Sequence, residues 1–139
     1  MQEPKVRPTG ATANLGRSGF PHIVTPTGGT LDIVTGASQP GFNPLDLLYA
    51  SLAACMAMSA RIAAHKMGVQ DQIHEIRAEA SGEKADDGPS RIVRFEVVFT
   101  FDADIDAETK AAIIHAAEEI CTVSNTLAGS PALDLRLAE

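Results

Sequence analysis

The sequence predicts an α+β fold. Two strongly helical segments are separated by runs in which apolar and polar residues alternate, which is the pattern of half-buried strands. The predicted strands come in groups, so the chain lacks the regular βαβ repeat of a parallel sheet. The predicted order is β-β-β-α-β-β-α-β. Because no internal repeat or linker divides the sequence, we expect residues 1–139 to form a single domain.

The first forty residues predict a small antiparallel sheet. Three short β-like runs, at 10–13, 22–25 and 30–34, are separated by turn-forming segments at 14–19 and 26–29. These turns contain the glycines, asparagine and proline that favour chain reversal.

A long helix follows this sheet. Asn43 is a favourable N-cap and Pro44 fits the first helical position, where its missing N–H costs nothing. Gly68 is a favourable stop signal, which places the end of the helix near Met67.

Apolar residues occupy nearly every position from 47 to 60, so this helix has no clean polar face and must be covered on most sides. We therefore predict a long buried central helix in an intertwined homodimer, although a helix covered within one subunit would show the same pattern. The uncharged apolar stretch is shorter than the roughly 20 residues that a bilayer requires, so we expect no membrane association.

Alternation resumes after the helix in two predicted strands, whose inward residues are Ile76, Ala78, Ala80, Phe95, Val97, Phe99 and Phe101. The polar segment 82–90 between them predicts a hairpin loop. Asp106 then caps a second helix, from Ala107 to about Ile120, with apolar Ala112, Ile113, Ala116 and Ile120 at helical spacing. Leu133, Leu135 and Leu137 predict a last strand.

Composition narrows the range of functions. The chain has 11 Lys and Arg against 18 Asp and Glu, giving a net charge of −7, which opposes binding to nucleic acid. The first ten residues show no apolar run typical of a signal peptide or membrane anchor, so we expect a cytoplasmic protein. The four histidines have no spacing typical of a metal site, and we assign neither a metal nor a bound cofactor.

The two cysteines are the candidate reactive residues. In a reducing cytosol, a disulfide between Cys55 and Cys121 would be transient and catalytic rather than structural. Cys121 follows Glu118 and Glu119 at the end of the second helix, where the helix dipole opposes a thiolate, so this position suits a resolving cysteine.

Cys55 lies about three turns into the first helix and needs a cation to favour its thiolate. Arg61 is about 120° away around that helix and faces elsewhere. Arg17, in a glycine-rich turn, is the other candidate, although such an arginine is more often a solvated turn residue. The common interpretation of a cysteine on an apolar helix is a small core residue.

These segments resemble the OsmC/Ohr family of thiol peroxidases. Gly16-Arg17-Ser18-Gly19 is similar to the family's Gly-Gly-Arg-type turn, and Ala53-Ala54-Cys55 follows Asn43-Pro44 by about the family's interval. Cys121-Thr122-Val123-Ser124, with Leu127 beyond it, is similar to the family's Cys-Pro-Val-Ser segment. The similarity extends from about residue 11 to residue 137.

The resemblance implies an OsmC-like fold and a peroxidase that reduces organic hydroperoxides. Cys55 would be the peroxidatic cysteine, Cys121 the resolving cysteine, and Arg17 the residue that stabilises the thiolate. An external dithiol reductant, such as a lipoyl-type group, would reduce the disulfide. The family members are antioxidant oxidoreductases of the oxidative stress response.

One position departs from the family pattern. The family commonly has Asn-Pro-Glu, and its glutamate binds the arginine, but this chain has Leu45 there and Asp46 one residue later. Asp46 faces away from Cys55 on a regular helix, and a carboxylate in the first helical turn is favoured by the helix dipole alone. The alternative is therefore a non-peroxidatic OsmC-like binding protein for a small apolar or electrophilic ligand.

Overall fold

In the computed structural model, which describes residues 5–138, the chain forms two units. The N-terminal unit extends to Leu48 and the C-terminal unit begins at Tyr49. The α+β class is confirmed. That the whole chain is one domain stays a prediction.

The predicted N-terminal sheet is confirmed. Strands β1 (Thr12–Asn14), β2 (His22–Val24) and β3 (Thr30–Asp32) pair antiparallel in that order. His22 lies opposite Asp32, and the His22 Nδ1 and Asp32 Oδ1 atoms are 2.6 Å apart across the exposed surface of the sheet.

Helix α1 (Pro44–Lys66) begins and ends where the sequence predicts. Asn43 Oδ1 accepts a hydrogen bond from the Asp46 N–H at 2.7 Å, and Asp46 Oδ2 accepts one from the Asn43 N–H at 2.9 Å. This reciprocal capping box satisfies backbone groups that a helix start leaves without partners. At the other end, Gly68 has a φ of +76°, the left-handed conformation that glycine adopts without strain.

The sequence predicts that α1 is covered on most sides, but in the single chain the buried residues lie on one face. Its buried residues are Leu52, Met56, Ser59, Ala60, Ala63 and Ala64. Met58 and Ile62 are exposed on another side of the helix. The apolar composition of α1 therefore exceeds what one chain covers.

Among the residues that the structure describes, α1 is the one helix long and apolar enough to cross a membrane: it has 23 residues, and an 18-residue stretch of it has a mean hydropathy of 1.5. Length and composition alone are weak evidence, because the core helix of a soluble protein meets the same criteria.

A long antiparallel hairpin follows α1 and a single 3₁₀ turn at Gln70–Gln72. Its strands are β4 (Ile73–Lys84) and β5 (Ile92–Ala103), and their inward residues alternate with exposed ones as predicted. The connecting loop spans residues 85–91, shorter than predicted, because the two strands pair as far as Lys84 and Ile92. The inward face of the hairpin provides the surface on which the helices pack.

Helix α2 (Ala107–Ile120) has the predicted bounds, and the Asp106 side chain accepts a hydrogen bond from the Thr109 N–H at 2.7 Å. Hydrogen bonding from the Thr109 side chain, together with this backbone bond, holds the pKa of Asp106 below its ordinary value. The buried residues of α2 are Ile113 and Ala117, whereas the expected core residue Ala112 is exposed. Ile113 and Ala117 pack with Ala60, Ala63 and Ala64 of α1 in one core cluster.

The predicted order is wrong after α2. A seven-residue helix, α3 (Thr122–Ala128), follows α2 at once, and the sequence analysis did not predict it. Residues 129–138 form no strand, although a strand was predicted there. Leu133, Leu135 and Leu137 are 84%, 88% and 94% exposed. Although these leucines alternate as in a strand, no strand of the described chain lies beside them, so the segment has no partner with which to form a sheet.

Candidate active site

Cys55 lies in the middle of α1, on the side that faces the C-terminal part of the chain. Its neighbours Leu52 and Met56 are buried, and Cys55 itself is half-buried. The thiol is therefore packed against apolar side chains while part of it stays accessible.

Cys121 occupies the junction between two helices. Its backbone N–H donates to the Ala117 carbonyl at 2.9 Å and so ends α2. Its Sγ accepts a hydrogen bond from the Ser124 N–H at 3.3 Å and so begins α3. The Cys121 side chain is 0% exposed. One residue thus caps both helices.

The structure brings the two predicted cysteines together. Leu52, Met56 and Cys121 form a buried cluster against which Cys55 packs. The outer members of this thiol cluster are apolar: Ala80, Phe95, Val97, Phe99, Val123 and Leu127. Both cysteines are free thiols in this arrangement.

The environment of Cys121 favours its thiolate. Burial raises the pKa of the Cys121 thiol, but hydrogen bonds from Cys55, Ser124 and Val123 outweigh this effect, and the net pKa lies below its ordinary value. The expectation that Cys121 is disfavoured by a helix C-terminus is therefore wrong. It overlooked α3, whose first backbone N–H groups point at the sulfur.

Removing the Cys55 thiol tests this environment. Because Cys55→Ala deletes one hydrogen bond to Cys121, the Cys121 thiol should ionise at higher pH in this variant than in the reduced wild-type protein. The shift is measured by a pH titration in which the ultraviolet absorbance of the thiolate is followed. The Cys121→Ala variant shows which part of this absorbance comes from Cys121. An unchanged or lower Cys121 pKa in Cys55→Ala would contradict this interpretation.

The lowered pKa of Cys121 also determines whether its contribution to the stability of the protein rises or falls with pH. Folded protein binds fewer protons at Cys121 than unfolded protein in the range below the ordinary thiol pKa of about 8.5. The contribution of Cys121 to stability therefore grows as the pH rises through that range, and it is lost as the pH falls through the folded-state pKa.

Two polar residues that the sequence analysis did not single out hold the α2–α3 corner. Ser124 Oγ donates to the Glu118 carbonyl at 3.2 Å and to the Cys121 carbonyl at 3.1 Å. Asn125 Nδ2 donates to the Glu119 carbonyl at 3.0 Å. These side chains satisfy the last carbonyls of α2, so the chain can turn directly into α3. Ser124 and Asn125, shortly after Cys121, were the sequence signal from which this corner could have been predicted.

An open groove lies beside the thiol cluster in the C-terminal unit. It has a volume of about 310 Å³ and is lined by Leu52, Met56, Phe95, Val97, Glu118, Ser124, Leu127 and Ala128. Most of these side chains also belong to the thiol cluster or contact it. The groove therefore gives a small apolar molecule a place next to the two thiols.

Arg17 lies in the N-terminal unit, in the bend that follows β1. Its side chain is exposed and forms no ion pair within residues 5–48. Gly19, two residues later, has a φ of +83°, so the turn requires glycine there. The role of Arg17 stays a prediction.

Asp46 is already engaged within the N-terminal unit. Its carboxylate accepts the Asn43 N–H in the capping box, which agrees with the interpretation of Asp46 as a helix-start carboxylate. Leu45, at the position of the family glutamate, supplies no carboxylate. Within residues 5–138, no cluster of three or more His, Cys, Asp or Glu side chains could hold a metal ion.

Comparison with known proteins identifies the family. A sequence model of the OsmC-like proteins matches residues 36–136, which is most of the chain. The chain belongs to this family. No curated protein matches its sequence.

Solved structures of OsmC and Ohr proteins share the fold. An OsmC-like protein from Mycoplasma pneumoniae is 18% identical with a TM-score of 0.76, and the match covers 88% of this chain and 89% of that one. The organic hydroperoxide resistance protein OhrB of Bacillus subtilis is 31% identical with a TM-score of 0.67, covering 86% and 90%. An organic hydroperoxide resistance protein OsmC from Legionella pneumophila is 20% identical with a TM-score of 0.72, covering 91% and 93%.

Proposed function

We propose that this OsmC-like protein is a cysteine-based peroxidase that reduces organic hydroperoxides. The observation that carries the proposal is the pair of free thiols, Cys55 and Cys121, packed in one apolar cluster. The family membership and the likeness to the B. subtilis organic hydroperoxide resistance protein support it.

Cys55 is the proposed peroxidatic cysteine because it is the more accessible of the two. Its thiolate attacks the terminal oxygen of ROOH, the O–O bond breaks, and the leaving alkoxide takes a proton to give ROH. Cys55 is then a sulfenic acid. The buried Cys121 thiolate attacks the Cys55 sulfur, hydroxide leaves and becomes water, and a Cys55–Cys121 disulfide forms.

The environment of Cys121 suits the second step. Hydrogen bonds from Ser124 and Val123 stabilise the Cys121 thiolate, and its burial keeps it away from the peroxide. In the full proposal, Arg17 stabilises the Cys55 thiolate and an external dithiol, such as a lipoyl-type group, reduces the disulfide. The cycle uses no bound cofactor and takes place in the cytoplasm.

The apolar groove favours organic peroxides over hydrogen peroxide. An alkyl or aryl tail gains about 25 cal/mol for each Å² that it buries, and hydrogen peroxide has no such tail. Side chains such as Phe95, Val97 and Leu127 provide the apolar walls of the groove.

The test is a stopped reaction of the fully reduced protein with cumene hydroperoxide and with hydrogen peroxide. We expect rapid loss of both thiols, a Cys55–Cys121 bond detectable by mass spectrometry, and a faster reaction with the organic peroxide. Two persistent thiols would contradict the proposal.

The second candidate is a non-peroxidatic OsmC-like binding protein for a small apolar or electrophilic ligand. Leu45 and Asp46 favour it, because Leu45 has no carboxylate and the Asp46 carboxylate already accepts the Asn43 N–H at the start of the helix. Affinity for such a ligand that does not depend on peroxide and is unaffected by Cys121→Ser would support this candidate.

We also propose that the protein is an intertwined homodimer. One chain leaves Met58 and Ile62 of α1 exposed, together with the alternating leucines at 133, 135 and 137. The hairpin of β4 and β5 is a two-stranded sheet, so its outer edges offer backbone groups to a further strand. Residues 133–137 of a second copy fit this need because they alternate as a strand does.

The dimer predicts a specific effect of a charge in the C-terminal segment. Leu135→Asp should convert the protein from two chains to one in sedimentation equilibrium, because a carboxylate cannot be buried without a partner. Leu15→Asp, at another exposed leucine, is the control and should leave the mass unchanged. A wild-type mass equal to one chain would contradict the dimer.

A further inference from the structure

The groove beside the thiol cluster is apolar except at one side. Glu118 is the charged residue among its lining side chains, and Ser124 supplies a hydroxyl. Ser124 connects the groove to the chemistry, because its N–H donates to Cys121 Sγ at 3.3 Å. A molecule in the groove would therefore contact both Glu118 and residues that surround the thiols.

The charge of Glu118 is not neutralised locally. Glu118 is exposed and forms no ion pair with any residue between 5 and 138. Its neighbour Glu119 differs, since Glu119 Oε1 lies 3.8 Å from His115 Nε2. The last turn of α2 contains no basic residue that could offset this charge.

A fixed negative charge at the wall of an apolar groove distinguishes ligands by charge. A neutral ligand loses nothing near Glu118, whereas a ligand that carries a carboxylate brings a second negative charge into a space where its hydration is reduced. For partly screened charges at a protein surface, such repulsion weakens binding by about fivefold.

We propose that Glu118 determines the charge specificity of the groove. The groove accepts hydroperoxides with neutral apolar tails and discriminates against those that carry a carboxylate near the tail. This inference rests on the proposed peroxidase function and assigns Glu118 a role in specificity, without a part in the bond-forming steps.

The test compares two derivatives of cumene hydroperoxide, one with a para-carboxamide and one with a para-carboxylate. They differ in charge and little in size. Wild-type protein should oxidise its thiols about fivefold faster with the carboxamide, and added salt should reduce this preference. Glu118→Gln should remove the preference. Glu119→Gln, one residue away and paired with His115 in the wild type, should leave it intact.

A binding measurement separates this inference from the peroxidase proposal. The two alcohols that correspond to these peroxides bind without reacting, and methyl NMR signals of Val97 and Leu127 report occupancy of the groove. Tighter binding of the carboxamide alcohol, lost in Glu118→Gln, would support the inference even if neither peroxide were consumed. Equal affinities in wild type and Glu118→Gln, or no perturbation of either methyl signal, would overturn it.

Discussion

Cys55→Ser is expected to abolish turnover of organic hydroperoxide. The serine hydroxyl does not ionise near neutral pH and cannot attack the O–O bond as a thiolate does. Removing the nucleophile of an enzyme typically lowers turnover by about a thousandfold or more. Peroxide consumption in the presence of a dithiol, followed over many turnovers, measures this loss.

Cys121→Ser is the matched control, because it removes the other thiol of the same cluster. Without added dithiol, this variant should consume about one equivalent of peroxide and keep a sulfenic acid on Cys55 that a dimedone-type reagent can trap, whereas the wild-type protein forms a disulfide. Thermal unfolding of both variants shows whether each is folded. Full turnover by Cys55→Ser would exclude the proposed mechanism.

Ile113→Ala is expected to cause the largest loss of stability. Ile113 is 0% exposed and packs among Ala60, Ala63, Ala64 and Ala117. These alanines have no rotamers with which to fill the space that a truncated isoleucine would leave, and larger neighbours such as Phe99 and Phe101 relax only partially, so a cavity should remain. We expect the free energy of unfolding to fall by about 3 to 4 kcal/mol.

Ile114→Ala provides the comparison, since Ile114 is the next residue on α2 and is only half-buried. Its loss should cost about 1 kcal/mol, because less apolar area returns to water. Urea unfolding of both variants measures the two free energies. Equal losses at positions 113 and 114 would contradict the packing described for α2.

Local signals made most of the fold predictable. Asn43 and Asp106 cap their helices with their own side chains, and Gly68 ends α1 through its own backbone conformation. Such signals act within a few residues, so they can be recognised without knowledge of the tertiary structure.

The predictions of secondary structure were wrong where the structure depends on residues that are far apart in the sequence. Thr122, Val123 and Ser124 have modest helix propensity, so the sequence gives little indication of α3. That helix depends on Cys121, whose sulfur and position are set by packing against α1. The predicted last strand shows the opposite error, since alternating leucines specify a strand only when a partner strand is available.

The candidate site was predictable in part. Cys55 and Cys121 could be recognised from the sequence, and the structure brings them together. The electrostatic environment of Cys121 could not, because the relevant N–H groups belong to the unpredicted helix α3. The groove and the place of Glu118 in it could not be predicted either, since the lining residues from α1, β5 and α2 are far apart in the sequence.

Cys121 Sγ is both a redox atom and a helix cap. A sulfur in a disulfide is a weaker hydrogen-bond acceptor than a thiolate, so oxidation should loosen the first turn of α3. By thermodynamic linkage, whatever stabilises that turn also stabilises the reduced protein and lowers the tendency of the pair to remain oxidised. The reduction potential of the cysteine pair can therefore be tuned from α3, through residues such as Thr122 and Asn125 that do not line the groove.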